Sequence, residues 1–153
     1  MHEVYGNLWL LDFPVKCITT NGTVKANGEL VMGRGCALEA KQRVSWLPKE
    51  LGSRIKSWGN RVFSVGYIAN IDTILISFPV KNHWSDKADL DLIERSANQL
   101  VYMLRPELYN KFDRILLPCP GCGLGQRDWE TEVKPILKDI LNDRFTIISK
   151  RIY

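Results

Sequence analysis

Residues 117–129 read Leu-Pro-Cys-Pro-Gly-Cys-Gly-Leu-Gly-Gln-Arg-Asp-Trp, and the interpretation of this stretch decides the fold. The apolar run Ile115-Leu116-Leu117 precedes it and a helical pattern opens at Asp128. Gly121, Gly123 and Gly125, with Cys119 and Cys122, are therefore crowded between a strand and a helix. Such a loop can serve a metal, a redox switch or an anion. A structural zinc site asks for about four ligands. Cys17 and Cys36 do not form a second close pair, and His2 and His83 have no partner at finger spacing. A redox CxxC opens a helix directly, whereas here Gly-Leu-Gly-Gln-Arg intervenes before Asp128. No metal or cofactor is expected, and the thiols read as buried or half-buried packing beside the loop. An anion suits the glycines better. They let successive N–H groups turn toward one point, and the following helix N-terminus adds positive partial charge.

Working outward, short apolar runs bounded by turn residues read as strands. They are 8–11, 15–19, 62–68, 73–78, 115–117 and 145–148. Runs 73–78 and 115–117 scarcely alternate, which predicts strands buried on both faces. Helical spacing appears over 35–46, 89–105 and 129–142. Asp128 is placed to cap the last of these, and Pro135 weakens its first turns. Strands alternating with helices imply helices packed around a mixed sheet.

In such sheets ligands sit beyond the carboxyl ends of the strands. A second glycine-rich segment occupies that position, from Thr20-Asn21-Gly22 to Val31-Met32-Gly33-Arg34-Gly35-Cys36-Ala37. Two such loops facing each other would suit a diphosphate; each alone could equally be a connecting turn. A third segment, Phe78-Pro79-Val80-Lys81-Asn82-His83-Trp84, places Lys81 just after a buried strand. Taken by itself Lys81 reads as a solvated surface lysine; held near apolar walls it would lose its proton and become a nucleophile. His83 reads as a hydrogen-bonded surface histidine, and Trp84 either stacks on a ligand or closes the core.

The 153 residues suggest one domain spanning 1–153. With 45% hydrophobic and 25% charged residues, the chain reads as an ordinary soluble globular protein. No apolar run approaches a membrane span, and Met1–Tyr5 lacks the regions of a signal peptide. The expectation is a cytoplasmic protein with no membrane partner and free thiols. A net charge of +4, from 21 Lys+Arg against 17 Asp+Glu, permits anionic ligands without a dense basic block.

Taken together, three segments resemble the macro domain family, the ADP-ribose-binding α/β/α modules. They are Thr19-Thr20-Asn21-Gly22, Val31–Ala37, and Pro118–Gly125 with Trp129. Their order and spacing hold over nearly the whole chain. The resemblance implies an α/β fold, a three-layer α/β/α macro domain with a central mixed sheet. Within the family, residues 78–84 are similar to the FPTKxHW segment of the branch that removes ADP-ribose from DNA bases or protein carboxylates.

The resemblance also implies roles for particular residues. Gly6-Asn7-Leu8 looks like the GDI segment whose acid accepts from the adenine amino group, with Asn7 replacing the acid. Asn21, following Thr20, matches the asparagine that orients the distal ribose. Met32, Gly33, Gly35, Cys36 and Ala37 match the loop and helix start that hold diphosphate and ribose. Pro120, Gly121, Cys122, Gly123, Leu124 and Gly125 match the second diphosphate loop. Lys81 and Asn21 would be the catalytic pair, with Lys81 acting at the anomeric carbon. Some relatives carry an acid just after GCGL; Gly125 stands there instead, and Asp128 reads first as a helix cap.

The implied function is an ADP-ribosyl hydrolase acting on an ADP-ribosylated macromolecule, a nucleic-acid base or a protein carboxylate. A non-catalytic reader and an ADP-ribose 1″-phosphate phosphatase using His83 or Asp86 are the alternatives. A DNA or RNA substrate would call on the basic residues Lys41, Arg43, Lys49, Arg54, Lys56 and Arg61.

Overall fold

The computed structural model describes residues 1–109 and 112–150. Six strands form one sheet: β1 (His2–Tyr5), β2 (Val15–Thr20), β3 (Phe63–Ile68), β4 (Thr73–Pro79), β5 (Ile115–Pro118) and β6 (Phe145–Ser149). Their spatial order is β1-β6-β5-β2-β4-β3. All neighbours run parallel except β3, which returns antiparallel along β4. The sheet is therefore mixed, as expected, and the carboxyl ends of β1, β2, β4, β5 and β6 lie along one edge.

The central strands are buried on both sides, and their side chains alternate between two apolar layers. Val15, Cys17, Ile76, Phe78, Ile115, Leu117, Phe145 and Ile147 pack one way, against α3 (Leu90–Met103) and the segment beginning at Trp129. Ile18, Leu75, Leu116 and Ile148 pack the other way, against α1 (Gly35–Arg43) and α2 (Leu47–Trp58). The expected three-layer α/β/α arrangement is thus present, and the sheet divides the core into two layers. Helix α3 starts cleanly because Asp89 accepts from the N–H groups of Asp91 (2.9 Å) and Leu92 (3.2 Å). A short helix, α4 (Pro106–Tyr109), follows it.

The structure departs from the sequence reading at four places. Residues 8–11 form a turn rather than a strand. The Asn7 side-chain oxygen accepts from Trp9 N–H, its carbonyl accepts from Leu10 N–H, and the chain reverses there. Leu8 consequently enters the core while Leu10 is 81% exposed. The strand pairing with β6 is instead β1, a mostly exposed edge whose residues carry no strand pattern. Helix α2 lies outside the helical runs expected from the sequence, and it contains Pro48 and Gly52. Pro48 sits in the first turn, where its missing N–H costs nothing.

The helix expected over 129–142 is a π turn (Trp129–Val133) followed by one α turn, α5 (Lys134–Leu137). Pro135 has no N–H to give to Thr131, so a regular α ladder cannot run through it. Val133 N–H reaches back five residues to the carbonyl of Asp128 instead. Asp128 caps this segment as expected, accepting from Thr131 N–H and Thr131 hydroxyl at 2.8 Å each.

Candidate functional site

Four loops leave the carboxyl edge of the sheet, after β1, β2, β4 and β5. They carry Asn7, Asn21, Lys81 and the 119–125 stretch. The loop after β2 runs on to residues 33–35 at the start of α1.

The two glycine loops meet. A Cβ built on Gly35, whose φ is +60°, would lie 3.6 Å from Leu124 Cδ1. Among the described residues, the backbone N–H groups of Gly33, Arg34, Gly35, Cys36 and Ala37 donate to no protein acceptor. The same holds for Gly121, Cys122, Gly123, Leu124 and Gly125. The first group is the unsatisfied amino end of a helix, with its positive partial charge. The 119–127 loop is held open from behind. Arg127 N–H donates to Gly121 O at 2.8 Å, Gln126 N–H to Gly123 O at 3.1 Å, and Arg127 Nε to Ala88 O at 2.7 Å. Ala88 N–H donates to Gly125 O at 2.9 Å, tying this loop to the Lys81 segment.

Lys81 follows Val80, whose N–H donates to Thr20 O and whose carbonyl accepts from Asp89 N–H. The half-buried Lys81 ammonium donates to Asp86 O at 3.2 Å. Burial holds its pKa below the ordinary lysine value of 10.5; the Asp86 carboxylate opposes this and the Arg34 guanidinium reinforces it. Arg34 belongs to the first glycine loop, so that loop and the Lys81 segment share one electrostatic environment.

Asn60, which no sequence motif marks, braces Lys81. Its Nδ2 donates to Lys81 O at 3.1 Å and to Asn82 Oδ1 at 3.0 Å. Its own oxygen is buried without a partner. Gly22 permits this contact, since a Cβ there would stand 2.7 Å from Asn60 Nδ2 and 2.9 Å from Asn82 O. Asn60→Ala strands the Lys81 carbonyl and is expected to cost about 1–2 kcal/mol of stability in urea denaturation.

The remaining anticipated residues divide between the loop surface and its foundation. Leu8 and Met32 are core members, and Thr20 and Ala37 are buried. Asn21 is buried with both ends of its amide engaged, Nδ2 donating to Val31 O and Oδ1 accepting from Thr23 N–H, each at 2.9 Å. It stiffens the loop and keeps one amide N–H and one lone pair. The Cys36 thiol lies 3.1 Å from the Thr19 hydroxyl, and burial raises its pKa. Pro120 is buried, and the Cys122 thiol donates to Pro120 O at 3.4 Å. The hydrogen-bonded neighbour Cys122, and then burial, push the Cys119 thiol up, so neither geometry nor charge favours a thiolate there. Asn7 is exposed, with one oxygen lone pair used by Trp9.

His83 Nδ1 lies 2.7 Å from Ser85 Oγ, and His83 and Trp84 are both exposed, their ring centroids 5.7 Å apart. Asp128 is occupied by its cap, and its pKa is lowered by the Thr131 N–H and hydroxyl.

No family model and no curated relative matches the chain. Solved structures do. Thermosipho africanus DarTG in complex with ADP-ribose superposes with a TM-score of 0.77 at 20% identity, over 96% of this chain and 41% of that one. The macrodomain of Thermus aquaticus DarG gives 0.76 at 24% identity, covering 98% of this chain and 97% of that one. The macrodomain of Mycobacterium tuberculosis DarG gives 0.74 at 25% identity, covering 95% and 96%. The chain thus spans less than half of the Thermosipho protein but nearly all of the two isolated macrodomains. Its fold is the macrodomain fold.

Proposed function

We propose that this chain binds ADP-ribose across the two glycine loops and hydrolyses its bond to a nucleic-acid base or a protein carboxylate, with Lys81 at the anomeric carbon. The observation that carries the reading is the meeting of two sets of uncommitted backbone N–H groups, 33–37 and 121–125, beside the strand end that bears Lys81. A diphosphate fits donors of that kind. The likeness to a structure solved with ADP-ribose supports the same ligand.

In the chemistry we envisage, the neutral Lys81 amine attacks the anomeric carbon. A C–N bond forms while the glycosidic bond breaks, and the base or carboxylate leaves with the electron pair. Water then displaces the amine. Asn21 holds the ribose by its remaining N–H and lone pair. Calorimetric titration with ADP-ribose tests binding, and a panel of ADP-ribosylated DNA and carboxylate-linked ADP-ribosyl protein tests release. Absence of binding rejects the reading altogether.

The amine is the reactive form, so a lowered pKa raises its fraction at neutral pH. The release rate is expected to climb with pH and level off below 10.5, the ordinary lysine value. A pH–rate profile flat across that range would remove the nucleophile.

A second reading, a non-catalytic reader, is favoured by one feature. No acid stands after Leu124, and Asp128 is committed to its cap. Tight ADP-ribose binding with no release from either substrate would establish it.

A further inference from the structure

Away from the glycine loops, two adjoining hollows of about 370 and 590 Å³ share Arg61, Val62 and Met103. They run between the end of α2, the start of β3 and the outer face of α3. Arg54 and Trp58 flank one end; Arg95, Tyr102 and Arg105 flank the other. Among the described residues no carboxylate lines either hollow.

We infer that this groove is a second binding site, a track for a single-stranded nucleic acid that holds the strand independently of ADP-ribose. Arg61 and Arg95 are exposed and engage no carboxylate among the described residues. Arg54 is fixed by Glu50 at 2.8 Å and by Ser64 O, so it serves as a rigid wall. Trp58 is 73% exposed and Tyr102 67%, with the Arg105 guanidinium 3.9 Å from the Tyr102 ring centroid. Large rings left in water beside uncommitted arginines match what a strand offers, phosphates for the cations and bases for the rings. An acidic peptide would use the cations but not the rings.

Position adds to the argument. Arg61 follows Asn60, which bonds the Lys81 carbonyl, and Val62 N–H donates to Gln99 on α3 at 3.0 Å. The groove therefore begins one residue beyond Asn60, which braces the Lys81 loop. A strand lying in it would pass close to that loop.

The test is fluorescence anisotropy with a labelled, unmodified oligothymidylate of roughly 15 nucleotides, about the longest site of a single such groove. Raising salt from about 50 to about 200 mM should weaken binding roughly 20-fold if some three phosphates are neutralised. The double variant Arg61→Glu/Arg95→Glu should lose at least about tenfold in affinity with a shallower salt slope. Trp58→Ala and Tyr102→Ala should each lose about tenfold through stacking. All these side chains are on the surface, so thermal melts should match wild type, and calorimetric ADP-ribose binding should be unchanged. That control separates failure of this inference from failure of the ADP-ribose reading. Three results would overturn it: no oligonucleotide binding by wild type, unaltered binding by the charge-reversed variant, or equal competition by polyglutamate, which would mark an acidic-peptide site.

Discussion

Lys81→Ala is expected to slow release of ADP-ribose by about 10²-fold or more while leaving free ADP-ribose affinity within about threefold. The split follows from where Lys81 stands. Its ammonium is anchored to Asp86 O, while the diphosphate would be gripped by backbone donors of residues 33–37 and 121–125, which do not depend on it. Losing a group that acts only in the transition state lowers kcat and kcat/KM together. Lys81→Arg keeps a charge but not an amine with a lowered pKa. A charge-only role would let Lys81→Arg retain much of the rate; a nucleophile would leave Lys81→Arg as slow as Lys81→Ala. Release by Lys81→Ala at the wild-type rate would end the catalytic assignment and leave the binding one standing.

Placing an acid after Gly-Cys-Gly-Leu, at position 125, should fail. Gly125→Asp is expected to destabilise the fold by about 2 kcal/mol and to weaken ADP-ribose binding by roughly 10- to 10²-fold through displaced loop donors. A Cβ at residue 125 would stand 2.6 Å from Gly121 O, 2.7 Å from Gly121 Cα and 2.8 Å from Ala88 Cβ. Two of those atoms are backbone, and Gly121 is itself held at φ +77° with Ala88 and Ile93 at its back. The loop cannot step aside without moving the N–H groups it presents. Gly123→Ala is the control, because nothing lies within 4 Å of a Cβ there. It should melt as wild type does. A Gly125→Asp protein that melts normally and turns over faster would show that this loop is not closed as described.

The same crowding accounts for a glycine at position 125. From sequence it was only an acid missing. The structure shows a residue wedged between Gly121 and Ala88, with its carbonyl accepting from Ala88 N–H. A loop anchored so close to the β4 segment has no room for a side chain.

Much of the fold was legible because burial on two faces leaves a mark in composition. Residues 73–78 and 115–117 scarcely alternate, and each belongs to a strand with a neighbour on both sides. The glycine loops were legible because few other residues allow a backbone to turn several N–H groups outward. The edge strand β1 was not, since a strand paired on one side and largely wet needs no apolar pattern. Helix α2 lies outside the expected helical runs and contains a proline and a glycine whose meaning depends on their place in the helix.

What the sequence determined alone was therefore local: which runs bury both faces, which loops are glycine-bent, and which lysine ends a buried strand. Which loops would face each other was decided by tertiary structure. Parallel pairing of β2 with β4 and β5 brings three chain segments to one edge, though their strand ends are about forty to a hundred residues apart in sequence. Asn60 became part of the site the same way, because its amide bonds reach residues twenty-one and twenty-two positions on. Strand order is a property of packing between distant segments, and no short stretch of residues carries it.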